Sequence, residues 1–183
     1  WVQFFAKGPV ATPRDLAAQK LFSWSGDAPT TELWKAAGFQ PVPLPSTEIS
    51  TALQTGLVTA VATTPQAAVL LQWNEHAPYL TDLPWAGLVG GLVVSERSWA
   101  KVPAELREPL AAAARETARQ LSTQTRASAP EHVAAMVRRG LTLVPVDAAA
   151  RAEWERRVED AYPKLRDAFV PGEARTLADV ERD

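Results

Sequence analysis

Residues 40–60, Gln-Pro-Val-Pro-Leu-Pro-Ser-Thr-Glu-Ile-Ser-Thr-Ala-Leu-Gln-Thr-Gly-Leu-Val-Thr-Ala, read as a strand, a tight corner, a short helix, a glycine stop and a second strand. The unit recurs in looser form on both sides, with strands ending near Trp24, Leu44 and Thr64. Strands separated by helices cannot pair as hairpins; they become parallel neighbours joined by right-handed crossovers. This pattern predicts a doubly wound α/β sheet of βα units, with ligands at the carboxyl ends of its strands. The corners at 24–29, 45–48 and 63–66 then face one crevice.

Local signals fit that grammar. Trp1-Val-Gln-Phe-Phe-Ala6 is a β-type run. Thr12-Pro-Arg-Asp15 supplies a cap, a proline at the first helical position and a carboxylate that reaches back to the cap. In the strand from Lys20 to Trp24, alternation puts Phe22 and Trp24 on one face. A helix from about Thr31 carries Leu33, Trp34 and Ala37 and stops at Gly38. Pro65 opens another helix, expected to run to Trp73.

Beyond residue 78 the character changes. Residues 79–94 form a long extended run, with glycines and a proline that permit bends, able to cross between two lobes. A strongly helical region then continues to Gly140, with a kink or restart expected at Ala129-Pro130. A short strand is predicted over 141–146. A helix capped by Asp147 follows, with an apolar stripe of Trp154, Val158, Tyr162 and Leu165. The polar tail from residue 172 is expected to end in a frayed helix.

Composition narrows the function classes. A chain of 183 residues, 46% hydrophobic and 22% charged, can bury a core. A formal charge of −2 argues against non-specific nucleic-acid binding. No apolar run approaches the ~20 residues that span a bilayer. The chain opens on Trp1 with no Met and no visible signal peptide, which fits a mature protein and an excised fragment equally. Cysteine is absent, so thiol nucleophiles, disulfides and Cys-ligated zinc are excluded. No nucleophile elbow, zinc-protease motif or phosphate-binding glycine loop is present. No catalytic residue, metal ligand or cofactor is therefore assigned.

Candidate binding residues come from the corners and the extended run. Glu48 reads as a first-turn acid that complements the helix dipole, or as an acid in the cleft. His76 reads as a helix C-terminal residue and His132 as solvated. Of the seven tryptophans, Trp34, Trp73 and Trp154 lie on helical apolar stripes and are assigned to the core, and Trp99 to a helix start. Trp24 and Trp85, at a strand end and in the extended run, are the cleft candidates. Trp1, Phe4 and Phe5 fit either role. Aromatic faces in a cleft favour apolar, aromatic or cationic ligands.

Three strings resemble one family: Phe5-Ala-Lys-Gly-Pro-Val-Ala-Thr-Pro-Arg-Asp-Leu16, Pro43-Leu-Pro-Ser-Thr-Glu-Ile-Ser-Thr-Ala-Leu-Gln-Thr-Gly56 and Val94-Ser-Glu-Arg-Ser-Trp99. They are similar to the extracytoplasmic solute-binding subunit of TRAP transporters (tripartite ATP-independent periplasmic transporters), DctP type. The resemblance covers essentially the whole chain but only the carboxyl-terminal part of a typical member, and leaves a first lobe missing upstream of Trp1. It implies a periplasmic-binding-protein-like α/β fold in which two lobes close on a small organic solute, usually a carboxylate. The solute passes to a membrane permease. The implied division is a ligand-binding lobe over 1–78, a crossing strand or hinge over 79–97, and long helices with one strand over 98–183 that belong largely to the other lobe.

The ligand site departs from the family pattern. Members usually place a carboxylate-binding arginine where Asp15-Leu-Ala-Ala-Gln-Lys-Leu-Phe22 has Phe22, which cannot supply a bidentate clamp. Thr63 or Thr64, in Val58-Thr-Ala-Val-Ala-Thr-Thr-Pro65, falls near the position of a ligand-contacting asparagine. The expected site is Phe22, Trp24, Thr63, Thr64 and Trp85, with Glu48 near it, in a periplasmic, non-catalytic subunit. An interaction module that binds a partner chain through its long helices is the alternative. An isolated lobe is expected to self-associate.

Overall fold

The computed structural model describes residues 1–169; the tail from residue 172 lies outside them. The strands are β1 (Gln3–Ala6), β2 (Lys20–Trp24), β3 (Gln40–Leu44), β4 (Ala60–Thr63), β5 (Tyr79–Thr81) and β6 (Thr142–Val144). The helices are α1 (Pro13–Ala17), α2 (Ala28–Ala36), α3 (Ile49–Thr55), α4 (Pro65–Leu70), α5 (Glu96–Trp99), α6 (Ala104–Arg138) and α7 (Ala148–Phe169). The strands form a single six-stranded sheet in the order β3-β2-β4-β1-β5-β6.

The expected parallel pairing holds for β2 with β3 and β4, and for β5 with β6. The first strand differs: β1 runs antiparallel to both β4 and β5. The reason lies in α1. Its five residues rise only ~7.5 Å, about half the length of a strand of this size. That helix turns a corner and does not carry the chain back along the sheet, so β1 and β2 point opposite ways. Its start follows the sequence signal closely. Thr12 caps it, and the Asp15 carboxylate accepts from the Thr12 and Ala11 amides at 2.8 and 3.0 Å.

Alternation along the strands splits the core into two layers. Phe5, Val61 and Leu80 face α3, α4 and the end of α6, packing with Ile49, Leu53, Trp73 and Met136. Phe4, Ala6, Leu21 and Ala60 face the other way, against Leu16 of α1, Phe39 and Trp154 of α7. Phe4, Phe5, Leu21 and Leu80 are fully buried, so β1 is central to both layers.

Helix ends obey the predicted stops with small shifts. Asp27 caps α2, which starts a few residues before the expected Thr31, and Gly38 ends it at φ +83°. The Arg157 guanidinium donates to the Ala37 carbonyl at 2.7 Å and lies 5.9 Å from the centre of the Phe39 ring. It thus satisfies a helix C-terminus with a cation, as the helix dipole favours. Gly56 closes α3 in the left-handed region at φ +76°. The helix from Pro65 stops at Leu70, short of Trp73, because Gln72 takes a positive φ of 58° before a 3-10 turn over Trp73–Glu75.

Two expectations about the second half are revised. Helix α6 spans 35 residues, so of the kink or restart expected at Pro130 the restart is excluded. The hydrogen bond that proline removes lies on a solvated stretch where water can replace it. Only Tyr79–Thr81 of the extended run is strand. Ala86 still pairs with Val2 through an isolated antiparallel bridge, but residues 87–95 have no regular structure. Val89 and Val93 are 93% and 95% exposed. Among the described residues, nothing pairs with this stretch of backbone, and an unpaired strand in water has little to hold it extended.

Candidate functional site at the carboxyl edge of the sheet

The parallel strands deliver their corners to one edge. Trp24 stands beside Leu44 in the β2–β3 register, and the Ser25 amide donates to the Leu44 carbonyl at 3.2 Å. The pairing of Leu21 with Ala60 sets β2 against β4 in a register that brings Trp24 level with Thr63. Antiparallel β1 enters at this same edge, and Gln3 stands opposite Thr63. Leu44, Trp24, Thr63 and Gln3 therefore form a row across adjacent strands, each ~4.8 Å from the next. Phe5, Phe22, Val42 and Val61 contribute to one core layer. Alternation assigns the row, two residues further along each strand, to the same face.

The edge is held by short, well-bonded turns. The Asp27 amide donates to the Trp24 carbonyl at 3.0 Å, and one Asp27 carboxylate oxygen accepts from the Thr30 amide at 3.1 Å. Beneath this corner the Ser23 and Thr31 hydroxyls share a buried hydrogen bond of 2.7 Å. The Gln3 amide donates to the Thr81 carbonyl at 3.2 Å. The Thr81 hydroxyl in turn donates to the Val10 carbonyl at 2.8 Å. The base of the edge is thus braced between β2 and α2 and again between β1 and β5, and Trp24, 60% exposed, rises from it.

The predicted residues are distributed as follows. Trp24, Thr63, Thr64 and Glu48 all lie along the edge. Glu48 is exposed, at the end of the 3-10 turn Ser46–Glu48 that leads into α3. Thr64 caps α4, its hydroxyl accepting from the Ala67 amide at 3.2 Å. Phe22 lies one pleat deeper and is half-buried against the α3–α4 layer. Trp85 sits on the opposite face. It stacks at 5.9 Å on Trp34 and lies 5.1 Å from Phe4 and 5.3 Å edge-on to Trp154. The structure does not bring Trp85 together with Phe22 and Trp24.

Sequence reasoning missed Gln3, because nothing in a run of four residues tells which way a first strand will point. A cavity of about 480 Å³ also lies away from this edge, between the end of α2 and α7, lined in part by Glu153, Arg156, Arg157 and Asp160. It is open and walled by alternating charges, and Arg157 is already committed to Ala37. The strand-end edge has the geometry that α/β sheets use for ligands. No three acidic or histidine side chains among the described residues come together to hold a metal ion.

A family model described as bacterial extracellular solute-binding protein, family 7 (DctP), matches residues 1–167. The chain belongs to this family. Solved structures of DctP-type proteins share its fold. A TRAP periplasmic solute-binding protein from Escherichia fergusonii is 24% identical with a TM-score of 0.71, over 92% of this chain and 58% of its own length. One from Shewanella oneidensis, with bound succinate, is 20% identical with a TM-score of 0.79, over 92% and 55%. The ectoine-binding protein of a TRAP transporter from Halomonas elongata is 16% identical with a TM-score of 0.77, over 93% and 55%. The chain therefore spans little more than half the length of these DctP-type proteins.

Proposed function

We propose that this chain supplies one wall of the solute cleft in the extracytoplasmic binding subunit of a TRAP-type secondary transporter. In that role it captures a small organic solute in the periplasm and releases it to the membrane permease subunits. The observation that carries the reading is the row Leu44, Trp24, Thr63 and Gln3 at the carboxyl edge, within a chain of solute-binding family 7. Trp24, Thr63, Thr64 and Glu48 are the contacts on this wall. Phe22 forms its floor, where related proteins resembling this one carry an arginine. Trp85, packed on the other face among Phe4, Trp34 and Trp154, is not a contact on this wall.

In this reading the ligand-binding lobe is residues 1–78 together with β5, β6 and α7, which share its sheet and core. The bounds expected for the hinge (79–97) and for the other lobe (98–183) therefore narrow to the stretch after β5 and to α6. Support comes from the exposed length of α6, in which Leu106, Leu110 and Leu121 are about half exposed. Among the described residues no helix is long and apolar enough to cross a membrane. The buried polar side chains among the described residues are Ser23, Thr31 and Thr81. None of these three ionises near neutral pH.

The test is isothermal titration of the full-length protein with a panel of small carboxylates, ectoine-like zwitterions and amines. One tight, saturable ligand is expected, with Trp24→Ala weakening it. A protein that binds none of the panel, yet forms a stable complex with another chain through α6, overturns the reading.

A further inference from the structure

The edge described above has one sign of charge. Its corner segments are Trp24-Ser-Gly-Asp-Ala-Pro29, Pro45-Ser-Thr-Glu48, Thr63-Thr-Pro-Gln66, Thr81-Asp-Leu-Pro-Trp-Ala-Gly87 and Val144-Pro-Val-Asp147. They carry Asp27, Glu48, Asp82 and Asp147 and no lysine, arginine or histidine. The opposite edge carries the cations. The Lys7 and Lys20 ammonium groups donate to the Gln54 and Gly56 carbonyls at 3.4 and 3.2 Å, at the end of α3.

The acids do not converge on a point, so the edge does not resemble the oxygen cage of a metal ion. Two of the acids, Asp27 just after β2 and Glu48 just after the neighbouring β3, flank the stretch of edge that carries an exposed indole. Asp82 and Asp147 follow β5 and β6, three and four strands away. Trp24 is 60% solvent-exposed in the middle of the row, and the Asp27 amide folds that residue's turn back onto the Trp24 carbonyl at 3.0 Å. An indole face attracts a cation through its quadrupole, and nearby carboxylates add to that attraction while repelling an anion. A dicarboxylate needs fixed donors or a guanidinium. This wall offers it the Gln3 amide, already spent on Thr81, and threonine hydroxyls, one of them occupied in capping α4.

We propose that the solute held against this wall is an organic cation, or a zwitterion whose alkylated ammonium end lies on Trp24. The proposal rests on the solute-binding reading above. It assigns Trp24 the cation-facing surface and Glu48, an exposed residue on the adjoining corner after β3, the countercharge.

The experiment is calorimetric titration of the full-length protein with glycine betaine, choline and succinate, at low and moderate salt. The ammonium probes are expected to bind at least about tenfold more tightly than succinate. Trp24→Leu, which keeps apolar area but removes the ring face, is expected to weaken the ammonium probes about tenfold, and Trp24→Phe to restore part of the loss. Glu48→Gln is expected to weaken them severalfold and to flatten the salt dependence. Succinate binding more tightly than either ammonium probe, or a Trp24→Leu protein that binds them as well as the parent, overturns the assignment and leaves the solute-binding reading standing. A protein that binds no small solute at all overturns both.

Discussion

Trp24 and Leu44 stand side by side at the carboxyl ends of β2 and β3, and the amide after Trp24 donates to the Leu44 carbonyl at 3.2 Å. That bond joins two corners which are twenty residues apart in sequence into one ledge. A large apolar ring left 60% exposed on a braced ledge is poorly explained by folding alone, since burying a side chain of that size is strongly favourable.

Removing that ring separates binding from stability. Trp24→Ala is expected to change unfolding free energy by no more than about 0.5 kcal/mol, as exposed substitutions do. Its ligand-induced rise in Tm is expected to disappear. Urea denaturation and a thermal shift with ligand measure the two effects independently.

The tryptophan on the other side of the sheet behaves in the opposite way. Trp154 is 2% exposed, stacks at 5.5 Å on Phe4, and donates its indole N–H to the Ala11 carbonyl at 2.8 Å. Trp154→Ala creates a cavity and orphans that carbonyl, with an expected loss of about 3–5 kcal/mol in urea denaturation.

Gly38 ends α2 at φ +83°, and a Cβ there meets the Arg157 guanidinium at 3.1 Å. Gly38→Ala is expected to destabilise by about 1 kcal/mol from backbone strain. Displacing Arg157 from the Ala37 carbonyl adds to that. Comparing Gly38→Ala with Gly38→Ala in an Arg157→Ala background separates the two contributions.

Asp15 contributes a pH-dependent cap. Partial burial pushes its carboxyl pKa up, but hydrogen bonds from Thr12 and Ala11 outweigh this and hold it below 3.8. A carboxylate whose pKa is lowered on folding stabilises the fold above its unfolded value and ceases to do so as pH falls through the folded value. Asp15→Asn is therefore expected to be less stable than the parent near neutral pH, by about 1 kcal/mol. The difference is expected to shrink as pH drops below 3.8. Urea midpoints at pH 7 and in the acid limb check it.

The 87–95 segment predicts behaviour in solution. Leu88, Val89, Leu92 and Val93 are each at least 70% exposed, an apolar run with no partner among the described residues. A protein comprising residues 1–183 alone is expected to self-associate as concentration rises. Val89→Lys with Val93→Lys is expected to return it toward the monomer in light scattering.

Much of this fold was legible because local chemistry decided it. Thr12, Pro13 and Asp15 specify a helix start, Gly38 and Gly56 specify stops, and the alternation of Leu21 with Phe22 specifies two faces. The strand ends at Trp24 and Leu44 then followed, and with them the edge. The direction of β1 was not legible, since it depends on α1 being too short to act as a crossover and on β4 and β5 lying on either side. That one fact hid Gln3 and separated Trp85 from the other candidates. Trp85 looked like a cleft residue because it lies in an extended run. Its real neighbours, Phe4, Trp34 and Trp154, come from three distant parts of the chain, and no local pattern brings them together. The end of regular structure after Ala86 was hidden for a related reason: a β-type composition makes a strand only where another strand is there to pair with it.

The central claim is that a small solute binds at the carboxyl edge around Trp24. The most direct measurement is a thermal-shift screen of the full-length protein against small organic solutes, repeated with Trp24→Ala. A ligand present at about 100 times its Kd stabilises by about 2.7 kcal/mol, a rise in Tm of at least several degrees. Such a rise is expected for a narrow chemical class of solute, together with its loss in Trp24→Ala. An equal rise in both proteins would contradict the central claim.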